Sequence, residues 1–239
     1  MSRAERYALP EAPRLGGAVR SAAVDLYFNS WRLVPANAIW GLLLLITVAV
    51  AVYWFVGAVL LLVVLAIPTA GIYRLAALIA RGDAAAFSDA VEAYRRYLRR
   101  ALLLGLIGTV GTTVLGINIL TGLLTLGGPL GWAIATAAAW GLVIFWAWLL
   151  CLWPLVVDPR REGASLREQM RLAALLVLAL PLRIGVLLMA TALLLALSTV
   201  LFAALITITL AYCALLGCRY VLPAADRLEG RATVLIPDL

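Results

Sequence analysis

Three stretches of this 239-residue chain carry no charged side chain, Leu33 to Tyr73, Ala101 to Val157 and Ile184 to Cys218, and every one of the 19 basic residues lies outside them. An arginine at the centre of a bilayer costs roughly 2.5–3.5 kcal/mol even on a permissive insertion scale, so charge-free runs of this length mark segments that sit in lipid. Composition agrees. Hydrophobic residues make up 65% of the chain and charged ones 13%, and the mean hydropathy is +1.07. Soluble domains hold roughly a quarter charged residues, so a soluble fold is excluded. At about 20 residues per crossing the chain has room for about six spans. The expected fold is all-α: a polytopic membrane helical bundle of about six transmembrane helices in three hairpins, with amphipathic helices at the interface.

The run Leu33 to Tyr73 would reach about 60 Å as one helix, twice the hydrocarbon thickness, so it must fold back. Tyr53, Trp54 and Phe55, followed by Gly57, mark the turn, because amphipathic rings favour the interface and glycine permits a tight connection. Span 1 is then about Ala36 to Tyr53 and span 2 about Gly57 to Ala80. Gly127, Gly128 and Pro129 break the second run into span 3, Ala101 to about Thr125, and span 4, Leu130 to Val157. Trp31 and Trp40 are expected at headgroup depth where the chain enters the membrane, and Trp132 and Trp153 at opposite interfaces.

Three segments read as interfacial or cytoplasmic. Residues 1–17, with Pro10, Pro13, Gly16 and Gly17, suit a flexible cytoplasmic arm, and from Ala18 the chain turns helical along the inner interface, with Val19, Ala22, Ala23, Leu26 and Ser30 near one stripe. Asp83 to Arg100 has Phe87, Val91, Tyr94 and Leu98 on one face and Asp89, Glu92, Arg96 and Arg99 on the other, with Asp83 as N-cap and Glu92 placed to pair with Arg96. Ser165 and Glu168 form a capping box that opens a helix after the loop Asp158 to Arg161.

Pro181 and Arg183 leave two arrangements open for the last third. In the favoured one, Leu166 to Leu180 is interfacial or half-inserted, Arg183 returns to the inner headgroups, and spans 5 and 6 divide near Ser198 and Thr199. In the other, a span starts near Leu172 and buries Arg183, at a high cost with no acid in the other spans to pair it. The favoured arrangement makes residues 18–222 a single membrane domain and 223–239 a cytoplasmic tail. It puts the arginine-bearing connections and both termini on the cytoplasmic side.

The net charge of +7 is spread over separate segments flanking apolar runs, the pattern of the positive-inside rule and not of a contiguous nucleic-acid footprint. All basic residues are arginine, a bias attributed to genome composition or a thermophilic source. Cys151, Cys213 and Cys218 form no metal-type pair and read as small packing residues. The first long apolar run starts near Leu33, so the first span is expected to serve as the targeting signal. The chain has no histidine, no Gly-x-Ser-x-Gly elbow, no phosphate-binding glycine loop and no paired carboxylates, so neither an enzyme nor a cofactor or metal site is expected.

The features left are a Gly108, Thr112, Gly116 ladder, read as close packing in the bundle with a homo-oligomer (homodimer) seam or a pore lining as the alternatives, and Trp140, Trp146 and Trp148, read as helix-contact or lipid-facing residues with stacking on a sugar or quinone ring as the alternative. Arg95, Arg96, Arg99 and Arg100 are candidate contacts to a partner or to anionic lipids of the inner leaflet. Thr109, Thr113, Asn118 and Arg183 are the candidate intramembrane polar site.

Asn37 and Trp40 in span 1, Pro68-Thr69-Ala70 in span 2, Arg81-Gly82, the aromatics Phe87, Tyr94 and Tyr97, and Leu180-Pro181 resemble the YesL-type bacterial integral membrane proteins of unknown function over roughly residues 20 to 222. The resemblance implies an inner-membrane protein of about six spans that is accessory to a carbohydrate transporter of the ABC type, with transporter subunits as partners and no catalytic residues. The alternative is a small uncoupled solute channel whose path runs through Thr109, Thr113, Asn118 and Arg183.

Overall fold

The computed structural model describes residues 14–230. Those residues form eight helices and no strand: α1 Leu15–Tyr53, α2 Phe55–Arg81, α3 Phe87–Arg96, α4 Leu98–Leu126, α5 Gly128–Val157, α6 Leu166–Ala179, α7 Pro181–Val200 and α8 Phe202–Leu228. Six of them, α1, α2, α4, α5, α7 and α8, are long and apolar enough to cross a membrane. The outward faces of these helices carry Leu42, Ile46, Leu60, Leu106, Val110, Ile117, Trp140, Ile144, Leu193 and Phe202, all exposed. Surfaces this apolar on six neighbouring helices belong in lipid. The chain is a multi-pass membrane protein with an all-α bundle fold.

The core lies where α1, α2, α5 and α8 meet. Leu33, Ile72, Leu75, Leu152, Leu155, Leu215, Leu216 and Tyr220 are fully buried there, and α6 and α7 add Leu176, Ile184 and Leu187. Lipid tails are as apolar as leucine, so helices in a membrane associate by close packing and by polar contacts that would otherwise go unmet. Both devices are visible. Trp40 Nε1 donates to Thr69 Oγ1 at 3.1 Å, and Trp148 Nε1 donates to the Met170 carbonyl at 3.1 Å. Trp40 is thus a buried tie between α1 and α2 and not an interfacial residue as expected. Trp153, expected at an interface, stacks on Tyr73 with ring centroids 5.7 Å apart. The three thiols Cys151, Cys213 and Cys218 are free and buried.

The turns fall close to their expected places. Trp54 leaves helical geometry between α1 and α2, Gly127 and Gly128 take φ of +58° and +60° between α4 and α5, and Leu201 separates α7 from α8, a little beyond Ser198 and Thr199. The α4–α5 hairpin is held by backbone contact, because a Cβ on Gly131 would lie 2.3 Å from the Gly122 carbonyl oxygen. Gly131→Val is therefore expected to force the hairpin apart and cost about 3 kcal/mol, at the upper end of overpacking penalties. Unfolding in detergent micelles measures it. Gly116→Val, where nothing lies within 4 Å of the added carbon, should change little.

Several expected elements differ in detail. The arm expected over residues 1–17 lies largely outside the described residues, and Leu15 to Gly17 already belong to α1. That helix kinks at Asn29 (φ −111°, ψ 16°), and its first part is docked on α8 through Asp25 with Arg219 and through the Val19 carbonyl with Tyr212. The stretch Asp83 to Arg100 is two helices, broken at Tyr97. Asp83 does not cap α3. Its N–H bonds the Leu78 carbonyl at 3.0 Å beyond Gly82, closing the C-terminus of α2, and Asp89 instead accepts from the Ala86 N–H at 2.7 Å. The inward face of α3 is Ala90, Ala93 and Tyr94, while Val91 is exposed. The small residues win because α3 sits on Gly71, where a Cβ would lie 3.0 Å from the Ala90 oxygen and 2.3 Å from the Tyr94 ring.

Pro181 opens α7 as a helix separate from α6, α6 is not among the helices long and apolar enough to cross a membrane, and Arg183 in the first turn of α7 is exposed. The Ser165–Glu168 box is present: Ser165 N–H donates to Glu168 at 2.8 Å and Glu168 N–H donates to Ser165 Oγ at 3.3 Å. The first of these bonds holds the Glu168 carboxyl below its ordinary range. Its contribution to α6 is present above that ordinary value and is lost as pH falls through the lowered one. The last helix passes the expected boundary at residue 222, continuing through Pro223 to Leu228.

Candidate functional site: a buried ion-pair cluster at the arginine-rich end

The C-terminal end of α2, the turn after α5 and the end of α8 bring two guanidinium groups and two aspartates together out of contact with solvent. Arg81 donates Nε and Nη2 to Asp158 at 3.1 and 2.5 Å, and Nη1 and Nη2 to Asp226, the latter at 3.2 Å. Arg161 bonds Asp158 through Nη1, and through Nη2 reaches Asp226 at 2.6 Å and Glu229 at 2.7 Å. Side-chain exposures of 6% for Arg81, 1% for Arg161, 0% for Asp158 and 5% for Asp226 place all four in a low-dielectric setting.

Burial alone would lower the Arg161 pKa, but the charge of Asp158, with Glu229 and Asp226, outweighs it and holds the guanidinium above its ordinary value. Each aspartate bridges two arginines, so its acceptor oxygens are taken. The arrangement is chemically a clamp between three helix ends.

A second, more open group adjoins it. Glu162 accepts from Arg74 at 2.8 Å, from Arg96 and from the Tyr97 hydroxyl at 3.3 Å, while Arg74 also donates to the Val157 carbonyl at 3.0 Å. Burial raises the Tyr97 phenol, which keeps it protonated as the donor. Beside this group lies a cavity of about 70 Å³ lined by Arg74, Asp89, Glu92, Ala93, Arg96 and Tyr97, large enough for a few waters.

The arginines singled out in sequence divide here. Arg96 pairs with Glu92 at 3.5 Å as its spacing predicts, and also with Glu162, and Arg100 donates to the Ala164 carbonyl at 3.2 Å. Arg95 and Arg99 are exposed and make no ion pair among the described residues. The candidate intramembrane residues are not brought together. Thr113 and Asn118 lie exposed on α4, Asn118 bonding its own Val114 carbonyl at 2.9 Å, Thr109 is half-buried, and Arg183 is exposed on α7. In the glycine ladder, a Cβ added at Gly108 would lie 3.6 Å from Leu149 of α5, which places this part of the ladder against its own bundle.

The clamp itself escapes sequence reasoning, because Asp226 sits beyond Pro223 in what reads as a tail. The available signal was the apolar run Val221, Leu222, Ala224, Ala225, which keeps helical burial going past the proline. No known protein family, curated protein or solved structure matches the chain. The fold and the site define a multi-pass α-helical membrane protein whose ion pairs gather at one end.

Proposed function

We propose that this protein is an accessory or regulatory component of a solute transporter of the bacterial cytoplasmic membrane, with its arginine-rich end and both termini in the cytoplasm. The observation that carries the reading is α3. It is seated on the bundle through Gly71, Tyr94 and the Arg96–Glu162 pair, and it turns Val91, Glu92 and Arg95 outward with no ion-pair partner for Arg95 among the described residues. A rigidly held amphipathic helix with an open charged face suits recognition by a second protein. The resemblance to YesL-type proteins supports a carbohydrate transporter of the ABC type as that partner. Its motif residues Asn37, Trp40, Thr69 and Arg81 all make ties between helices here, which fits a scaffold better than a catalyst.

A photo-crosslinking residue at position 95 or 91, used in native membranes, is expected to capture transporter subunits. Recovery of the protein alone, together with unchanged solute uptake on deletion, would refute the role. Orientation has its own check: Arg95→Cys should resist an impermeant thiol reagent added from outside the cell, and labelling from that side overturns the topology.

A further inference from the structure

Two helices that both pack on α5 repeat the same vertical order of residues on their outer faces. On α4, exposed Arg99 is followed along one stripe by exposed Leu103, Leu106 and Val110. On α6, exposed Arg167 and Arg171 are followed by exposed Leu175 and Leu178. The base of α4 is tied to the loop that leads into α6, since Arg100 Nη2 bonds the Ala164 carbonyl, while Arg96 of α3 bonds Glu162 in the same loop. Arg99 and, one and two turns beyond the tie, Arg167 and Arg171 therefore lie exposed on the two elements that the Arg100 bond joins.

None of the three has an ion-pair partner among the described residues. Of the nearby acids, Glu162 is engaged by Arg74, Arg96 and Tyr97, and Glu168 accepts from the Ser165 N–H and makes no ion pair among the described residues. We propose that this part of the arginine-rich end is a binding site for the headgroup of an anionic phospholipid, whose phosphate is held by Arg99, Arg167 and Arg171 and whose acyl chains lie along the leucines above. Guanidinium groups match phosphate in a two-point geometry, and a basic cluster directly beneath a lipid-facing apolar stripe is the place where a headgroup meets its chains. A free anion would use the arginines but not the leucines. The site stands whether or not a transporter is the partner.

Native mass spectrometry of the full chain, purified with phosphatidylglycerol and phosphatidylcholine supplied in equal amounts, tests the site. Retention of phosphatidylglycerol is expected to exceed that of phosphatidylcholine by about tenfold, and to fall to the phosphatidylcholine level in R99Q/R167Q/R171Q but not in R95Q, whose arginine is as exposed but lies on α3. Millimolar inorganic phosphate should displace none of it. Equal retention of the two lipids by the unaltered chain overturns the proposal without any variant, as does full displacement by phosphate or an undiminished preference in the triple variant.

Discussion

Asp226→Ala is expected to destabilise the folded bundle by about 3–5 kcal/mol, because it leaves two buried guanidinium groups short of a carboxylate they cannot replace with water. Arg81 and Arg161 both bond Asp226, and their side chains are 6% and 1% exposed. Opening the structure to hydrate them would separate the end of α8 from α2. The pair Asp25–Arg219 supplies an internal comparison, since it too is bidentate, at 2.7 and 2.9 Å, but its arginine side chain is 32% exposed. Asp25→Ala should therefore cost about 1 kcal/mol or less. Unfolding of both variants in the same micelles, followed by tryptophan fluorescence, gives the comparison. Equal shifts would mean that the cluster is wetter than its geometry implies.

The contrast between these two pairs also explains what sequence could and could not show. Charge exclusion from lipid is strong and local, so the six spans, the glycine turn at Gly127 and the Ser165–Glu168 cap follow from neighbouring residues alone. Ion pairing at the arginine-rich end is set by tertiary neighbours. Arg81 lies 77 residues from Asp158 and 145 from Asp226, and neither separation leaves a periodic trace. Pro223 added a false boundary. A proline inside a helix removes one backbone bond, but in a packed membrane bundle the neighbours of α8 hold the helix together on both sides of it. On α3 the expected face holds at Tyr94 and differs at Val91 for a related reason: hydrophobic size favours Val91, while close approach to Gly71 selects alanine. The arginines Arg99, Arg167 and Arg171 are visible singly in the sequence, but the Arg100–Ala164 bond that links the base of α4 to the loop before α6 is not.

Asn37→Leu should cost about 3 kcal/mol or more despite adding an apolar side chain to an apolar interior. Near its start α8 passes through a wider helical turn, Leu205–Thr209, in which backbone groups fall out of the ordinary i to i−4 pairing. Asn37, fully buried on α1, stands in that gap. Its Nδ2 donates to the Ile206 carbonyl at 2.6 Å and lies 3.2 Å from the Leu205 carbonyl, while its Oδ1 accepts from the Ala211 N–H at 2.8 Å. The side-chain amide thus serves as a substitute peptide group, and a leucine there would leave a donor and acceptors unpaired where no water reaches, at roughly 1–3 kcal/mol each. Gly41, one turn further along α1, lets the two backbones approach, since a Cβ there would meet Ile206 at 2.6 Å. Thr209→Val makes the contrast, because it removes a hydroxyl that bonds Ser198 at 2.7 Å and the Ala204 carbonyl at 3.0 Å but leaves the Asn37 bonds to the turn in place, so its loss should cost about 1 kcal/mol. Hydrogen exchange at the Ala211 amide reads the same event locally. Faster exchange in Asn37→Leu, with Thr209→Val unchanged, is the expected result, and equal protection in both would show that the wide turn closes without the asparagine.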